Sequence, residues 1–382
     1  MNKRDELIFW FDQPPKVSLG AFNHVSQHWG NKVMYIADHG FGEHRKMINW
    51  DNTDYADAEL VLLSEIENQE EYIKSVFEQY PNAVHIMNGF CSTIEAKIRN
   101  YVKRENVKLV VHSEKPLGSK RAFTIEKGIR NILTPFKYKR IYREYKDYVD
   151  AVVPLGVWGK KLFESYGWPE DKVFSFMYCP ELCKVKDIPI EESEKVRFFY
   201  VGRFNYKSRG LDLIMNVFDK LADSDKWSLN IAGGYGDKKD EVINWATNTK
   251  NVSYLGLLPA ETVGDNMQQC DVYLVPTRAD GWNSQINEAI NAGVGVICAD
   301  EAVSDEVIEA SGAGVVVKAS DVNALYNAVK NVLDNPQITK EWREKAKAYR
   351  HRIKGDIVGD YLIDILDYTF YDKEEKPSCP WL

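Results

Sequence analysis

The sequence predicts an α/β fold of two doubly wound domains, and three observations carry that prediction. Short apolar runs rich in Val, Ile, Tyr and Phe alternate with polar, helix-length stretches along almost the whole chain. Such strands, separated by helices, indicate a parallel sheet covered on both faces. The pattern then repeats over a second series of similar length, more strands than one sheet conveniently holds. The chain has 382 residues, enough for two domains. Each doubly wound sheet should bind ligands at the carboxyl ends of its strands, and a cleft between the domains is expected.

Taken in order, the first series places strands at LIFWF, KVMYIAD, ELVLLSE, AVHIMNG, VKLVVHSE, DAVVPLG and KVFSFMY. The second places them at VRFFYVGR, WSLNIAGG, VSYLGLLP, DVYLVPT, GVGVICAD and AGVVVKAS. Between them PELCKVKDIPIEESEK has two prolines, a charge cluster and no clear periodicity, as a linker would. The expected domains are therefore residues 1–185, residues 186–352, and a C-terminal helix with its tail at 353–382. The apolar residues of GDIVGDYLIDILDYTFY need a partner surface, which the first domain could supply. The tail KEEKPSCPWL is expected to fray.

Composition narrows the class. Hydrophobic residues at 44% and charged residues at 28% are ordinary for a globular protein. A net charge of −8 argues against a protein built to coat nucleic acid. The start, MNKRDELIFWFDQPP, has too short an apolar run for a signal core, and no later stretch approaches the ~20 residues of a membrane span. A cytoplasmic location is expected. Cysteines 91, 179, 183, 270, 298 and 379 are scattered; Cys179 and Cys183 lack a second pair or nearby His, so free thiols and no metal are expected. The acidic DSD at 223–225 precedes a strand and reads as a surface turn.

Four strand ends in the second half carry site chemistry. YVGRFNYKSRGLDLIMNVF places Gly202 and Gly210 around Arg203, Lys207 and Arg209, just ahead of an amphipathic helix. Cations and free N–H groups at a helix N-terminus suit phosphates, although a solvated basic turn has the same composition. IAGGYG supplies Gly233 and Gly234, a close-approach cluster or a simple turn. In NVSYLGLLP the backbone around Leu257 could bond a heterocycle edge, or merely turn. RADGWNSQINEAINAG then sets Asp280 before a helix and Glu288 within it. These carboxylates are either capping features or the walls of a polar ligand site. Strand-end loops share one edge of a sheet, so the basic and acidic loops could converge. Cations suit a diphosphate, carboxylates suit vicinal hydroxyls, and free N–H groups at 281–284 suit either.

On these residues the second half, over 196–335, resembles the donor domain of GT-B glycosyltransferases of family 4, which are retaining enzymes. The resemblance rests on VGRF…K…RG, on IAGG.G, and on Asp280-x7-Glu288 followed by AINAGVGVIC. It implies a GT-B fold, with two Rossmann-like domains facing a central cleft. It also implies that Glu288 binds ribose hydroxyls and Asp280 the donor sugar. Backbone groups of Gly281, Trp282, Asn283 and Ser284 would meet sugar and phosphates. Arg203 and a second cation, Arg209 in preference to Lys207, would bind the diphosphate, with Gly202, Gly233, Gly234 and Leu257 around the donor. The chain departs from the family pattern in having Asp280 where a glutamate is usual, and one extra residue between Arg203 and Gly210.

The first half says less. Gly20 falls where the family has a glycine near the donor phosphates, though a helix start explains it equally. His85 sits inside an apolar run and reads as core. Asn88 occupies the place of the second histidine of a family His-x-His-Gly run, a hydrogen-bonding group on the acceptor side. His112 and Glu114, at the end of VVHSEKP, are the candidates for groups facing the acceptor or the reacting carbon. Residues 115–146 interleave Lys and Arg with Phe136, Tyr138, Tyr142 and Tyr145. This stretch suits peripheral contact with an anionic membrane, a long solvated helix, or an acceptor wall.

Three functions follow as expectations. The first is a metal-independent retaining glycosyltransferase using a UDP- or GDP-linked sugar on a glycan or glycolipid acceptor, in cell-surface polysaccharide assembly. The second is an epimerase-like enzyme of the same architecture, which would need acid–base groups. The third is a non-catalytic nucleotide-sugar-binding protein.

Overall fold

The computed structural model describes residues 4–47, 49–116, 125–182 and 193–382. The first sheet contains β1 (Leu7–Phe11), β2 (Val33–Ala37), β3 (Glu59–Leu62), β4 (Val84–Asn88), β5 (Lys108–Ser113) and β6 (Ala151–Pro154). All neighbours pair in parallel, in the order β3-β2-β1-β4-β5-β6. The second contains β7 (Val196–Val201), β8 (Trp227–Ala232), β9 (Val252–Tyr254), β10 (Val272–Val275), β11 (Gly295–Ala299) and β12 (Gly314–Val317). Its order, β12-β11-β10-β7-β8-β9, is the same doubly wound arrangement counted from β7. In each sheet the winding reverses between the first and fourth strands, β1 and β4 in one and β7 and β10 in the other. Ligands bind α/β sheets at that switch point, because the two loops diverge there and leave a crevice.

Helices that matter below are α1 (Leu19–His28), α2 (Ile125–Tyr145), α3 (Leu211–Asp219), α4 (Ser284–Ala292) and α5 (Gly355–Phe370). The central strands are buried on both faces, which is why their sequences are continuous apolar runs rather than alternating ones. Trp10 anchors the first core and Trp227 the second, both fully buried.

The chain divides into two compact units, Met1–Glu181 with Lys354–Pro380, and Leu182–Ile353 with Trp381–Leu382. The last helix, α5, thus belongs to the first unit, where it packs along α1. There Gly355 sits directly on the backbone of Gly20, Gly359 approaches the Ala21 carbonyl, and Asp367 forks onto Arg4 at 2.7 and 2.9 Å.

Two expectations are corrected. KVFSFMY does not form a seventh strand; it makes only the isolated bridges Val152↔Val173 and Leu155↔Phe176 beside β6. Phe174 and Phe176 donate to the Val152 and Pro154 carbonyls at 3.0 and 2.8 Å, but Pro154 has no N–H to return. The tail does not fray either. Trp381 is fully buried, its indole donates to Glu306 at 2.9 Å, and Tyr349 Oη donates to its carbonyl.

Candidate functional site

Two loops leave the switch point of the second sheet, Gly202–Gly210 after β7 and Pro276–Asn283 after β10. The strands themselves pair Phe198 with Val272 and Phe199 with Tyr273. The loops are stitched together at Ser208, whose carbonyl accepts from Arg278 N–H at 2.7 Å, Thr277 Oγ1 at 2.8 Å and Ala279 N–H at 3.3 Å. Gly210 makes this approach possible. It is left-handed (φ 67°), and any Cβ there would collide with the Pro276 carbonyl oxygen. The third loop joins at Gly233, where a side chain would strike the Gly202 carbonyl and the Phe204 ring.

On this frame Arg209 and Asp280 meet. The Arg209 guanidinium donates to Asp280 Oδ2 in a part-buried ion pair. Burial works against the Arg209 charge, but Asp280 and the neighbouring tyrosines more than offset it, so its pKa rises. Asp280 also accepts from Gly281 N–H at 2.9 Å and from Asn283 Nδ2 at 3.2 Å.

Glu288 lies in the second turn of α4. Burial raises its carboxyl from the usual range to about 7. Tyr273 donates to the Val201 carbonyl at 3.2 Å, and burial holds its phenol well above the usual tyrosine range. Tyr200, likewise buried, donates to the Arg203 carbonyl at 2.9 Å. Arg203 is exposed, its guanidinium 5.8 Å from the Tyr235 ring centroid. Lys207 is exposed on the short helical turn Tyr206–Arg209.

The N-cap of α4 is Asn283, with no side-chain cap hydrogen bond, and neither carboxylate takes that role. Asn283 Oδ1 is instead buried without a partner. The expected row of free N–H groups needs correction: Gly281 donates to Asp280, and Asn283 donates to the Ala302 carbonyl at 3.1 Å. The side chain of Trp282 is core, donating to Asn287 Oδ1 at 3.1 Å, so only its backbone could meet a ligand. Ser284 opens α4, half-buried. Gly234 packs on Leu257, which is half-exposed past the end of β9.

Sequence reasoning missed Arg278. Its guanidinium forks onto Asp212 of α3 at 2.6 and 2.7 Å, donates to Ser320 Oγ at 2.9 Å and reaches the Tyr206 carbonyl. It locks the loop after β10 to the loop after β7. A lone Arg between Thr277 and Ala279 was the only signal.

In the first unit, Asn88 ends β4 opposite His112 of β5, and Gly89 N–H donates to the His112 carbonyl at 2.7 Å. His112 is buried among the rings of Phe22, Phe176 and Tyr178, and neither ring nitrogen has a partner. Burial lowers its pKa to about 4, so near neutrality it can hydrogen-bond but not titrate. Glu114 Oε1 accepts from Tyr178 Oη at 2.9 Å. Gly20 is used for packing: its N–H donates to the Cys179 carbonyl at 2.9 Å, and a Cβ would strike Pro180. That amide is therefore taken up in packing. His85 is core, accepting from Trp10 Nε1 at 3.1 Å and stacked on Phe77.

Among the described residues no cluster of three or more His, Cys, Asp or Glu could hold a metal ion. The cysteines at 91, 179, 270, 298 and 379 form no disulfide with one another, and Cys183 lies outside the described residues.

Known proteins match this arrangement. Residues 184–349 match the model of the family described as Glycosyl transferases group 1. An uncharacterized 41.2 kDa protein in the cps region of Klebsiella pneumoniae is 31% identical over 176 residues, 45% of this chain and 46% of that protein. The chain thus spans about half the length of the curated relative it matches. A glycosyltransferase from Rickettsia africae superposes with a TM-score of 0.70 at 13% identity, covering 98% of this chain and all of that one. Anabaena HepE, in complex with UDP-glucose, gives 0.68 at 12% identity over 94% of this chain and 99% of its own. WaaG, a glycosyltransferase involved in lipopolysaccharide biosynthesis, gives 0.64 at 15% over 94% and 99%. These structures establish the fold, which is GT-B.

Proposed function

From the premise that residues 184–349 form a group 1 glycosyl transferase domain, we propose that the chain moves a sugar from a nucleoside-diphosphate sugar to an acceptor hydroxyl. The transfer retains anomeric configuration, and the acceptor is a glycan or glycolipid of cell-surface polysaccharide assembly. The cps-region relative supports that setting, and the UDP-glucose held by HepE supports the donor class. UDP or GDP is the carrier.

One observation carries the reading: Arg209, Asp280 and Glu288 come from two loops and a helix that flank the β7/β10 switch point, where Arg209 pairs with Asp280. Glu288 accepts the ribose diol. Arg203 and Arg209 face the diphosphate and stabilise the negative charge that grows as the sugar–phosphate bond breaks. Most of the Asp280 oxygen capacity serves Arg209, Gly281 and Asn283, so it orients the cation and has little left for a sugar hydroxyl. On the first unit Asn88, His112 and Glu114 contribute hydrogen bonds on the acceptor side. With side-chain cations on the leaving group, the reaction needs no metal.

The test is release of nucleoside diphosphate from a panel of UDP- and GDP-sugars, with the anomeric configuration of the product read by NMR. Transfer with retention supports the proposal. Epimerised donor, or binding without turnover, would replace it with one of the two alternatives.

A further inference from the structure

Helix α2 (Ile125–Tyr145) presents apolar side chains in two opposed directions. On one side Ile141 and Tyr145 are buried, and Tyr138 stacks at 5.5 Å on Tyr166 and meets Phe163 at 5.6 Å. On the other, Ile129, Ile132, Leu133 and Phe136 are 53, 65, 59 and 71% exposed. Their spacing of three, four and seven residues is that of a buried helix seam. At about 100° per residue the four fall within an arc of about 100°, roughly opposite the packed face. They form one contiguous stripe rather than scattered exposed residues, and such a stripe marks an interaction surface.

The flanks of the stripe are cationic. Lys137 and Lys139 lie on its two sides, and Arg140 and Arg143 extend its line toward the helix C-terminus, all exposed. The one acidic residue between 128 and 145, Glu144, is paired with Lys103 at 3.1 Å. This concentration of positive charge occurs in a chain of net charge −8.

We propose that this face of α2 docks on an anionic lipid bilayer. The four apolar side chains enter the headgroup–acyl boundary, while the lysine and arginine heads reach lipid phosphates and their stems lie along the apolar layer. The contact is peripheral: among the described residues no helix is long and apolar enough to cross a membrane. A second copy of the chain fits poorly, because a self-complementary pairing would set these cations against one another. The remaining residues of the basic stretch, 117–124, lie outside the described residues and take no part in the inference. Nor does it depend on the proposed enzymatic reaction.

The test is co-sedimentation of the full chain with vesicles of phosphatidylcholine alone or mixed with phosphatidylglycerol. The wild type should bind the mixed vesicles, more weakly as salt rises. The variant I132Q/L133Q/F136Q should lose about tenfold or more in affinity with an unchanged melting temperature, since these side chains are already in water. The variant K137Q/K139Q/R140Q should bind mixed and neutral vesicles alike. Equal binding by wild type and the apolar variant would overturn the proposal. So would absence of binding to mixed vesicles, or a wild-type dimer in gel filtration that the apolar variant dissolves.

Discussion

Arg209 and Asp280, 71 residues apart in sequence, form a part-buried ion pair where the loops after β7 and β10 cross the switch point. Neither residue could hold its place alone: Ser208 and Arg278 fasten the two loops together beneath them. A double-mutant cycle over R209A, D280A and the double variant should therefore show a coupling of about 1–2 kcal/mol in chemical denaturation. Additive effects would mean that the pair is formed only loosely in solution.

Truncating Arg203 should affect chemistry far more than stability. R203A is expected to lower kcat by about 10²–10³, the usual loss when one preorganised charge is removed from a transition state. Its melting temperature should stay at the wild-type value, because Arg203 is exposed. K207A should have a much smaller effect than R209A on nucleoside diphosphate release.

Glu288 gives the site a pH signature. Burial raises its carboxyl from 4.5 to about 7. Between those values the folded state binds more protons than the unfolded state, so stability should fall as pH rises through that window. Ribose hydroxyls that donate to the carboxylate favour its ionised form. Nucleotide affinity should thus increase from pH 5 to pH 7, level off above, and be accompanied by proton uptake into the buffer. E288Q should flatten both profiles, as read by thermal melts and by calorimetry in two buffers of different ionisation enthalpy.

Arg278 is a positioning residue, tied to Asp212 and Ser320 rather than facing a ligand. R278A should cost about 2–4 kcal/mol, because it leaves Asp212 without its fork and frees two loops. In the surviving folded protein, KM for the donor should rise more than kcat falls.

Gly210 and Gly256 are both left-handed, but they differ in surroundings. A Cβ at Gly210 meets the Pro276 carbonyl, whereas nothing lies within 4 Å of one at Gly256. G256A should cost only the backbone strain, about 1 kcal/mol. G210A should cost clearly more and weaken nucleotide binding as well, since it pries the two site loops apart.

The double winding was legible because buried parallel strands leave an unmistakable trace, uninterrupted runs such as LIFWF and DVYLVPT. Strand order was not, because pairing β1 with β4 or β7 with β10 is a long-range choice that no local pattern encodes. KVFSFMY has strand composition, but Pro154 lacks the N–H that a continuous ladder needs between its two bridges. Trp381 lies in a tail rich in Pro, Lys and Glu, where local composition signals fraying and a tertiary contact overrides it. At the candidate site the charged residues announced themselves by type. What they touch did not: Gly20 reads the same whether it cradles a phosphate or lets α5 pack on α1, and the fork of Arg278 depends on a helix start 66 residues away.

Calorimetric titration of UDP- and GDP-sugars into wild type, R203A and E288Q tests the central claim most directly. At least one nucleotide sugar should bind the wild type saturably, and each substitution should weaken it by about tenfold or more. If none binds, or if both variants bind as the wild type does, the donor does not sit at the β7/β10 switch point.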